Sequence, residues 1–292
     1  MNEAVSPRKG LIAMLLSVVF FSANCLLIRW VGLFAHVDGW TTSFARGLAG
    51  TIFVITLYSG GRGLHLSHLR KPLLLFRGLV GMITISLLYI TIIHIGAARA
   101  LVINLTYPLF GTLIASILLK ERPTLRNLML LVLAIVGLGL FFFESLVEAD
   151  FGRYDLLGLL GAALSGLAVV LIRKLTKTET AATIYSGQCL ITLVVTFPLA
   201  LPSFASTSSF AWVVMLVGGF LVAIGQILIT KGFYHLDIAR GSTLQMLIPL
   251  LTAIGAFFFF DERFSALEIF GAILTLLATW LISVTPLKQG TA

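Results

Sequence analysis

The sequence predicts an all-α membrane protein with ten transmembrane helices, arranged as two inverted five-helix repeats. Three observations predict this fold: few charges, ten apolar segments of span length, and a repeat that relates the two halves of the chain. The 292 residues are 59% hydrophobic and only 11% charged, whereas soluble domains carry about 25% charged residues. A soluble globular fold and a disordered chain are therefore both excluded.

Charged and turn-forming residues divide the chain into ten apolar segments. A helix that crosses the hydrocarbon core needs about 20 apolar residues, with a minimum of about 17, and most of the segments exceed that minimum. Because lipid offers the backbone no hydrogen-bond partner, we expect helices, and the apolar runs do not alternate as the strands of a membrane barrel do. The predicted spans are 10–32, 39–59, 72–94, 97–119, 125–144, 155–173, 181–202, 210–233, 238–260 and 265–285.

The basic residues predict an orientation. If both termini and the loops after the even-numbered spans share one side, that side holds 14 of the 20 Lys and Arg residues, and the other side holds four. Basic residues gather on the cytoplasmic side of a membrane, so both termini are expected in the cytoplasm. The net charge of +8 comes from these loops, and we therefore expect a lipid bilayer around the chain and no nucleic-acid partner.

The two halves of the chain are copies of one unit. Sliding the sequence by 141 positions places His94 on His235 and Pro108 on Pro249 without a gap. Each unit has an odd number of spans, so the second is inverted relative to the first. Inverted repeats of this kind occur in secondary transporters, whose substrate site lies at the repeat interface near the bilayer midplane. The predicted units are a first repeat at 1–144, a connecting loop at 145–154 and a second repeat at 155–292.

The repeated residues also resemble a known family. The Ala-Arg, Pro and Glu-Arg pattern of helices 3–5, present again in helices 8–10, is similar to the EamA-type family of the drug/metabolite transporter superfamily. The resemblance implies a basket in which helices 1–4 and 6–9 surround a central cavity and helices 5 and 10 lie outside. It also implies export of amino acids or related metabolites across a prokaryotic inner (plasma) membrane. Many members have Trp in the middle of helix 1, where this chain reads Phe20-Phe21-Ser22-Ala23-Asn24, so no role of that Trp carries over.

Two prolines at the centres of helices 4 and 9 indicate broken helices. A proline inside a helix removes the hydrogen bond to the carbonyl four residues earlier, so Pro108 frees that of Asn104 and Pro249 frees that of Gln245. Freed backbone at membrane depth is tolerated only where it is buried in protein or lines a cavity. We expect these residues to line the substrate cavity; a purely structural kink is the alternative.

Polar side chains on other spans complete the candidate substrate site. Helices 1, 7 and 8 carry polar residues at helical spacing, and a shift of 142 positions pairs Gln188 of helix 7 with Arg46 of helix 2. No catalytic residue, cofactor or metal is expected. The candidate substrate-binding residues are Asn24, Arg46, Asn104, Tyr107, Tyr185, Gln188, Gln226 and Gln245, with Pro108 and Pro249 as helix breaks.

Arg46 and Arg77 are the only charged residues well inside the predicted spans. A charge there costs at least about 2.5 kcal/mol and usually marks a transport path or an ion pair, but every acidic residue lies in a loop or at a span end. Arg77 follows Pro72 by only five residues, so we expect its side chain to reach the cytoplasmic surface. Arg46 lies deeper and is expected to bind a substrate carboxylate or to bridge carbonyls and amides of helices 1 and 4, with a structural role as the alternative.

These features favour a carrier over an enzyme or a channel. An intramembrane enzyme needs a nucleophile with its base or paired carboxylates in the spans, and a channel shows rings of like charge or a filter loop; the sequence has neither. The expected function is alternating-access export of a small-molecule substrate, most simply amino acids, aromatic ones included. The alternative is uptake or exchange of a larger metabolite such as a nucleoside-like compound, S-adenosylmethionine or a vitamin. With no acid in the spans to carry a proton, we expect facilitated diffusion or exchange by a monomer or a homodimer.

Overall fold

The computed structural model describes residues 5–32, 38–57, 67, 70–95, 97–121, 123–143, 151–261 and 263–284, which are almost entirely α-helical. A π-helical turn (Phe53–Leu57) continues the second helix, and a 3-10 turn (Leu201–Ser203) continues the eighth. The α-helices of the described residues are α1 (Pro7–Gly32), α2 (Gly39–Ile52), α3 (Pro72–Ile95), α4 (Ala97–Asn104), α5 (Tyr107–Leu118), α6 (Leu125–Phe141), α7 (Arg153–Leu175), α8 (Ala181–Ala200), α9 (Ser209–His235), α10 (Ile238–Gln245), α11 (Leu247–Phe260) and α12 (Ala266–Val284).

Polar residues in extended conformation begin several of these helices. The side chain of such a residue accepts a hydrogen bond from a backbone N–H of the first turn, which has no partner inside the helix. Asp38 accepts from the N–H groups of Trp40 and Thr41 in this way at the start of α2. The corresponding N-cap residues of α6, α8, α9 and α10 are Thr124, Thr180, Ser208 and Asp237.

Most of the described helical segments reach the length and hydropathy that are needed to cross a membrane. Within the described residues, seven of the ten predicted spans reach both, counting α4–α5 and α10–α11 each as one segment. Two shorter apolar stretches lie at Pro72–Leu88, within α3, and at Leu125–Phe141, which is α6. The outer surface is apolar: Ile117, Val194, Phe258 and Phe259 expose between 74% and 78% of their surface. A chain with such a surface is a multi-pass membrane protein, because these side chains contact lipid at no cost in free energy.

Helices of the first half of the chain pack against helices of the second half. The closest partners are α1 with α9, α2 with α8, α3 with α7, and α6 with α12. Small residues allow the approach: a Cβ on Gly166 of α7 would lie 2.6 Å from the amide nitrogen of Gly111 on α5, and one on Gly219 of α9 would lie 2.6 Å from the Cβ of Ala49 on α2. Close backbone contact through small residues is a common way for helices to associate in lipid. The central part of the bundle therefore lies at the interface between the two halves.

Candidate functional site

The candidate site lies along the seam between α2 and α8. A Cβ on Gly47 would be 3.3 Å from the carbonyl oxygen of Cys189, and a Cβ on Gly50 would be 2.5 Å from the hydroxyl of Tyr185. A side chain at Gly50 would collide with Tyr185, and one at Gly47 would crowd the backbone of α8, so the two glycines allow close packing. The seam brings the α2 residues next to the glycines, Ser43 and Arg46, against the buried polar face of α8.

Two small cavities meet at Arg46. The first lies between α2, α3 and α8, and the second lies between α1, α2 and α9; Arg46 lines both. The first cavity is lined by Ser43, Arg46, Gly47, Ile85, Tyr185, Gln188, Cys189 and Thr192. The second cavity is lined by Asn24, Ile28, Thr42, Arg46, Val214, Met215, Gly218, Gly219 and Val222.

In this conformation the two cavities are too small to hold an organic solute. Their volumes are about 10 Å³ and about 20 Å³, and one water molecule needs about 10–15 Å³ on the same scale. An organic solute therefore requires the helices around Arg46 to move apart.

Four of the predicted substrate-binding residues line these cavities. They are Asn24, Arg46, Tyr185 and Gln188, and the pair Arg46 and Gln188, matched by the repeat, borders the same cavity. The structure gives Arg46 no hydrogen bond to α1 or α5 among the described residues, so the bridging arrangement expected for it is not seen.

The other four predicted residues lie elsewhere. Gln245 is 2% exposed and donates from Nε2 to the hydroxyl of Ser17, at 2.7 Å, and so ties α10 to α1. Tyr107 is half-buried and lies beside Ser242 of α10. Asn104 ends α4, and Gln226 lies on α9; neither lines the two cavities around Arg46.

Both proline-containing segments are interrupted just before the proline. Pro108 is the second residue of α5, after the break at Leu105–Thr106, and Pro249 is the third residue of α11, after the break at Met246. At each break one N–H bonds three residues back: Thr106 N–H donates to the Ile103 carbonyl at 3.1 Å, and Met246 N–H donates to the Thr243 carbonyl at 3.0 Å. The two segments therefore share one kind of irregular turn.

The sequence-based expectation that Arg77 reaches the surface is wrong. Arg77 is 4% exposed, and its Nε and Nη1 atoms have no hydrogen-bond partner among the described residues. Its guanidinium points away from the start of α3: Nη1 lies against Gly81, next to the Gln188 carboxamide of α8. Side chains of a helix usually point back toward its N-terminus, and here the space left by Gly81, which α8 covers, holds the group at depth.

Charged residues join several helices at one end of the bundle, which we call the basic end. Arg173 donates from Nε to Glu121 Oε1 at 3.0 Å and from Nη1 to the Phe233 and Tyr234 carbonyls, both at 2.6 Å. Glu121 Oε2 accepts from the N–H of Ile238 at 3.3 Å. This network ties α5, α7, α9 and α10 together, and a cation at the last carbonyls of α9 is favoured by the helix dipole.

Two further contacts lie at the basic end. Lys71 Nζ pairs with Glu179 Oε1 at 2.6 Å, before α3 and α8 begin, and the N–H of Ser6 donates to His235 Nδ1 at 3.2 Å. Asp237 caps α10 there, and its pKa is raised because burial disfavours the carboxylate. The opposite end carries aromatic contacts such as the Trp30–Phe210 pair.

Sequence reasoning missed two groups of residues. Ser43, Cys189 and Thr192 border the first cavity but are absent from the candidate set, although helical spacing places Ser43 on the face of Arg46 and Thr192 on that of Gln188. The partner of Glu121, Arg173, lies 52 residues away and gives no local signal. Only the fold brings those two side chains together.

Comparison with known proteins identifies relatives along the whole chain. The model of the EamA-like transporter family matches residues 8–143 and 152–284. The pseudopaline exporter CntI of Pseudomonas aeruginosa (strain UCBPP-PA14) is 26% identical over 284 residues, which cover 97% of this chain and 98% of the exporter. The S-adenosylmethionine uptake transporter of Rickettsia prowazekii (strain Madrid E) is 24% identical over 296 residues, covering 99% and 97%.

A solved crystal structure of a protein shares the fold. It superposes with a TM-score of 0.77 at 17% identity, over 96% of this chain and 98% of that chain. At this identity the likeness establishes the architecture alone.

Proposed function

Because the chain belongs to the EamA-like transporter family, we propose that it carries a small organic metabolite across the membrane by alternating access through the cavities around Arg46. The observation that carries the proposal is that Arg46 borders both cavities, at the interface of the two halves. In a transporter built from inverted repeats the solute binds at that interface. Rocking of one half against the other would enlarge the closed site toward each face in turn.

The helix contacts support ten spans in two inverted repeats, 1–144 and 155–292. In the repeat, α1 corresponds to α7, α2 to α8, α3 to α9, α5 to α11 and α6 to α12. Exchanging each helix for its counterpart turns the contact of α1 with α9 into that of α7 with α3. It likewise turns the contact of α5 with α7 into that of α11 with α1, and it leaves α2 with α8 and α6 with α12 unchanged. All of these contacts are present. A pseudo-twofold axis in the membrane plane, passing between α2 and α8, accounts for the whole set.

We further propose that the basic end faces the cytoplasm of an inner-membrane protein. The distribution of Lys and Arg supports this orientation, and the network of Arg173 and Glu121 would then be the cytoplasmic gate. Ile28 and Val214 line the second cavity near the ends of α1 and α9 that carry the Trp30–Phe210 contact. That cavity lies toward the opposite end, and we infer that the contacts of Arg173 and Glu121 close the basic end in this conformation.

For the solute, we propose an amino acid or an amino-acid-derived metabolite, moved outward. Amide, hydroxyl and guanidinium groups around aromatic and aliphatic side chains suit an amphipathic solute of this kind. The second candidate is uptake of S-adenosylmethionine, which the relationship to the Rickettsia transporter favours. The relationship to an exporter of P. aeruginosa favours the outward direction.

Counterflow in proteoliposomes tests the function. Vesicles containing the purified protein are loaded with an unlabelled amino-acid mixture or with S-adenosylmethionine, and accumulation of the labelled solute is followed. We expect saturable accumulation that disappears in vesicles loaded with buffer alone. Absence of counterflow for every solute of both panels, or a non-saturable leak as in a channel, would contradict the proposal.

The same substitution at two positions near α2 provides the matched control. Thr42 lines the second cavity, whereas Thr56 is exposed on the outer surface. We expect Thr42→Phe to abolish counterflow by filling the cavity and Thr56→Phe to leave it near the wild-type rate. Equal rates in the two variants would show that the solute does not pass this cavity.

A further inference from the structure

Two arginines, Arg46 and Arg77, lie near the first cavity and have no acidic partner among the described residues. Arg46 borders both cavities, and Arg77 is buried with its Nη1 next to the carboxamide of Gln188, which lines the first cavity together with Arg46. Neither side chain has an ion pair or a hydrogen bond within the described part of the chain. The described acidic residues all lie at helix ends or between helices: Asp38, Glu121, Asp155, Glu179, Asp237, Asp261 and Glu268.

Such a pair is unfavourable for the empty protein. A buried charge is tolerated when a partner of opposite charge and hydrogen bonds replace its lost hydration, and two like charges in one low-dielectric region add repulsion. The Gln188 carboxamide, which lies beside Arg77 Nη1, cannot supply the missing charge. If the carboxamide turned so that Oε1 accepted from Nη1, it would satisfy one donor and neutralise nothing.

Four buried polar atoms near Arg46 have no hydrogen-bond partner among the described residues. The hydroxyl of Ser43 and the Nε and Nη1 atoms of Arg77 are buried donors without partners, and Gln188 Oε1 is a buried acceptor without a partner. Ser43 and Gln188 line the first cavity together with Arg46. A carboxylate accepts several hydrogen bonds at once, from guanidinium and hydroxyl groups alike, while the free amide oxygen suits an N–H group of the same molecule.

We propose that Arg46 and Arg77 together form an anion site that binds a carboxylate of the transported solute, with Ser43 as a further donor. The proposal rests on the proposed transport function and narrows it: the solutes are carboxylates, and their amides or esters are rejected. The bound carboxylate supplies the negative charge that no described side chain offers to the two arginines. Closure of the helices around the site is then favoured when the solute is present.

The first test needs no solute. Since the empty site holds two unneutralised charges, Arg77→Met is expected to raise the midpoint of thermal unfolding of the purified protein in detergent by about 2–4 °C. Arg70→Met is the control, because Arg70 is exposed just before α3, and its midpoint should stay within about 1 °C of wild type. A midpoint of Arg77→Met that falls below that of wild type would overturn the proposal, because it would give Arg77 a structural role.

The second test compares acids with their own amides. The probes are L-phenylalanine with L-phenylalaninamide, and iminodiacetate with its diamide, titrated into wild type and into Arg77→Met and Arg46→Gln while the unfolding midpoint is followed. We expect at least one acid to bind wild type about tenfold more tightly than its amide, and the preference to vanish in both variants. Equal binding of acid and amide, no binding of either acid, or a preference kept by Arg77→Met would overturn the proposal.

The two proposals fail separately in these experiments. Counterflow with no acid-over-amide preference would leave transport in place and remove the anion site. A preference for acids without counterflow of any solute would keep the anion site and remove the transport function.

Discussion

At the scale of single residues, Gly81 decides where the Arg77 guanidinium lies. A Cβ at position 81 would collide with Nη1 and come within 2.9 Å of the Gln188 carboxamide carbon. Gly78, one turn earlier on α3, also faces α8, but there a Cβ would lie 2.8 Å from the carbonyl oxygen of Gly187. The first contact involves the end of a flexible side chain, and the second involves backbone that cannot move alone.

Substituting the two glycines should therefore separate function from stability. We expect Gly81→Ala to displace the guanidinium, so that acid binding weakens about tenfold while the unfolding midpoint changes little. Gly78→Ala should instead cost about 1–3 kcal/mol by forcing α3 and α8 apart. Acid titration and thermal unfolding of the two variants, side by side, measure both effects. A Gly81→Ala variant that bound the acid probes as wild type does would contradict the placement of Arg77.

At the scale of helices, the α6–α12 pair is held by backbone contact. A Cβ on Gly271 would lie 2.5 Å from the Gly137 carbonyl oxygen, and the Thr275 hydroxyl donates to the Ala134 carbonyl at 3.3 Å across the interface. Gly139, on the same helix as Gly137, has open space where a Cβ would be added. The pair lies away from both cavities and supports the bundle without lining the site.

Two alanine substitutions test this packing. Gly271→Ala is expected to lower the free energy of unfolding by about 1–3 kcal/mol, because two backbones must separate. Gly139→Ala should raise it by about 0.5–1 kcal/mol through the higher helix propensity of alanine. Denaturation in detergent compares the two variants. Equal effects would show that the helices do not meet at Gly271.

The basic end offers a second prediction at this scale. Glu121→Gln removes the negative charge that accepts a hydrogen bond from Arg173. A hydrogen bond to a charged group contributes about 1.5–3 kcal/mol to stability. We expect the rate of thiol labelling of Ser242→Cys, which lies buried on α10, to rise by roughly tenfold or more. The background carries Cys25→Ser and Cys189→Ala, so that only position 242 reacts.

An exposed ion pair supplies the control for that experiment. The Asp261–Arg263 pair leaves 84% and 80% of the two side chains exposed, and such pairs contribute little. Asp261→Asn should leave the labelling rate unchanged. If Glu121→Gln behaved in the same way, the network around Arg173 would not hold the basic end closed.

At the scale of the whole molecule, the sequence predicted the family and a multi-pass helical membrane protein, because hydropathy and the gapless repeat around Pro108 and Pro249 are properties of the chain itself. The family is confirmed by the match across both halves. Of the candidate residues, Arg46, Tyr185 and Gln188 line the first cavity, and Asn24 and Arg46 line the second. Arg77 stays buried because Gly81 leaves space for its guanidinium and α8 packs against that space. No local sequence pattern reveals this arrangement.

The central claim is that the cavities around Arg46 are reached from both faces of the membrane in turn. The most direct measurement labels Thr42→Cys, in a background without Cys25 and Cys189, with a membrane-impermeant thiol reagent in right-side-out and inside-out vesicles. We expect labelling from both sides, slowed by a transported solute. Labelling from one side only, or from neither, would contradict it.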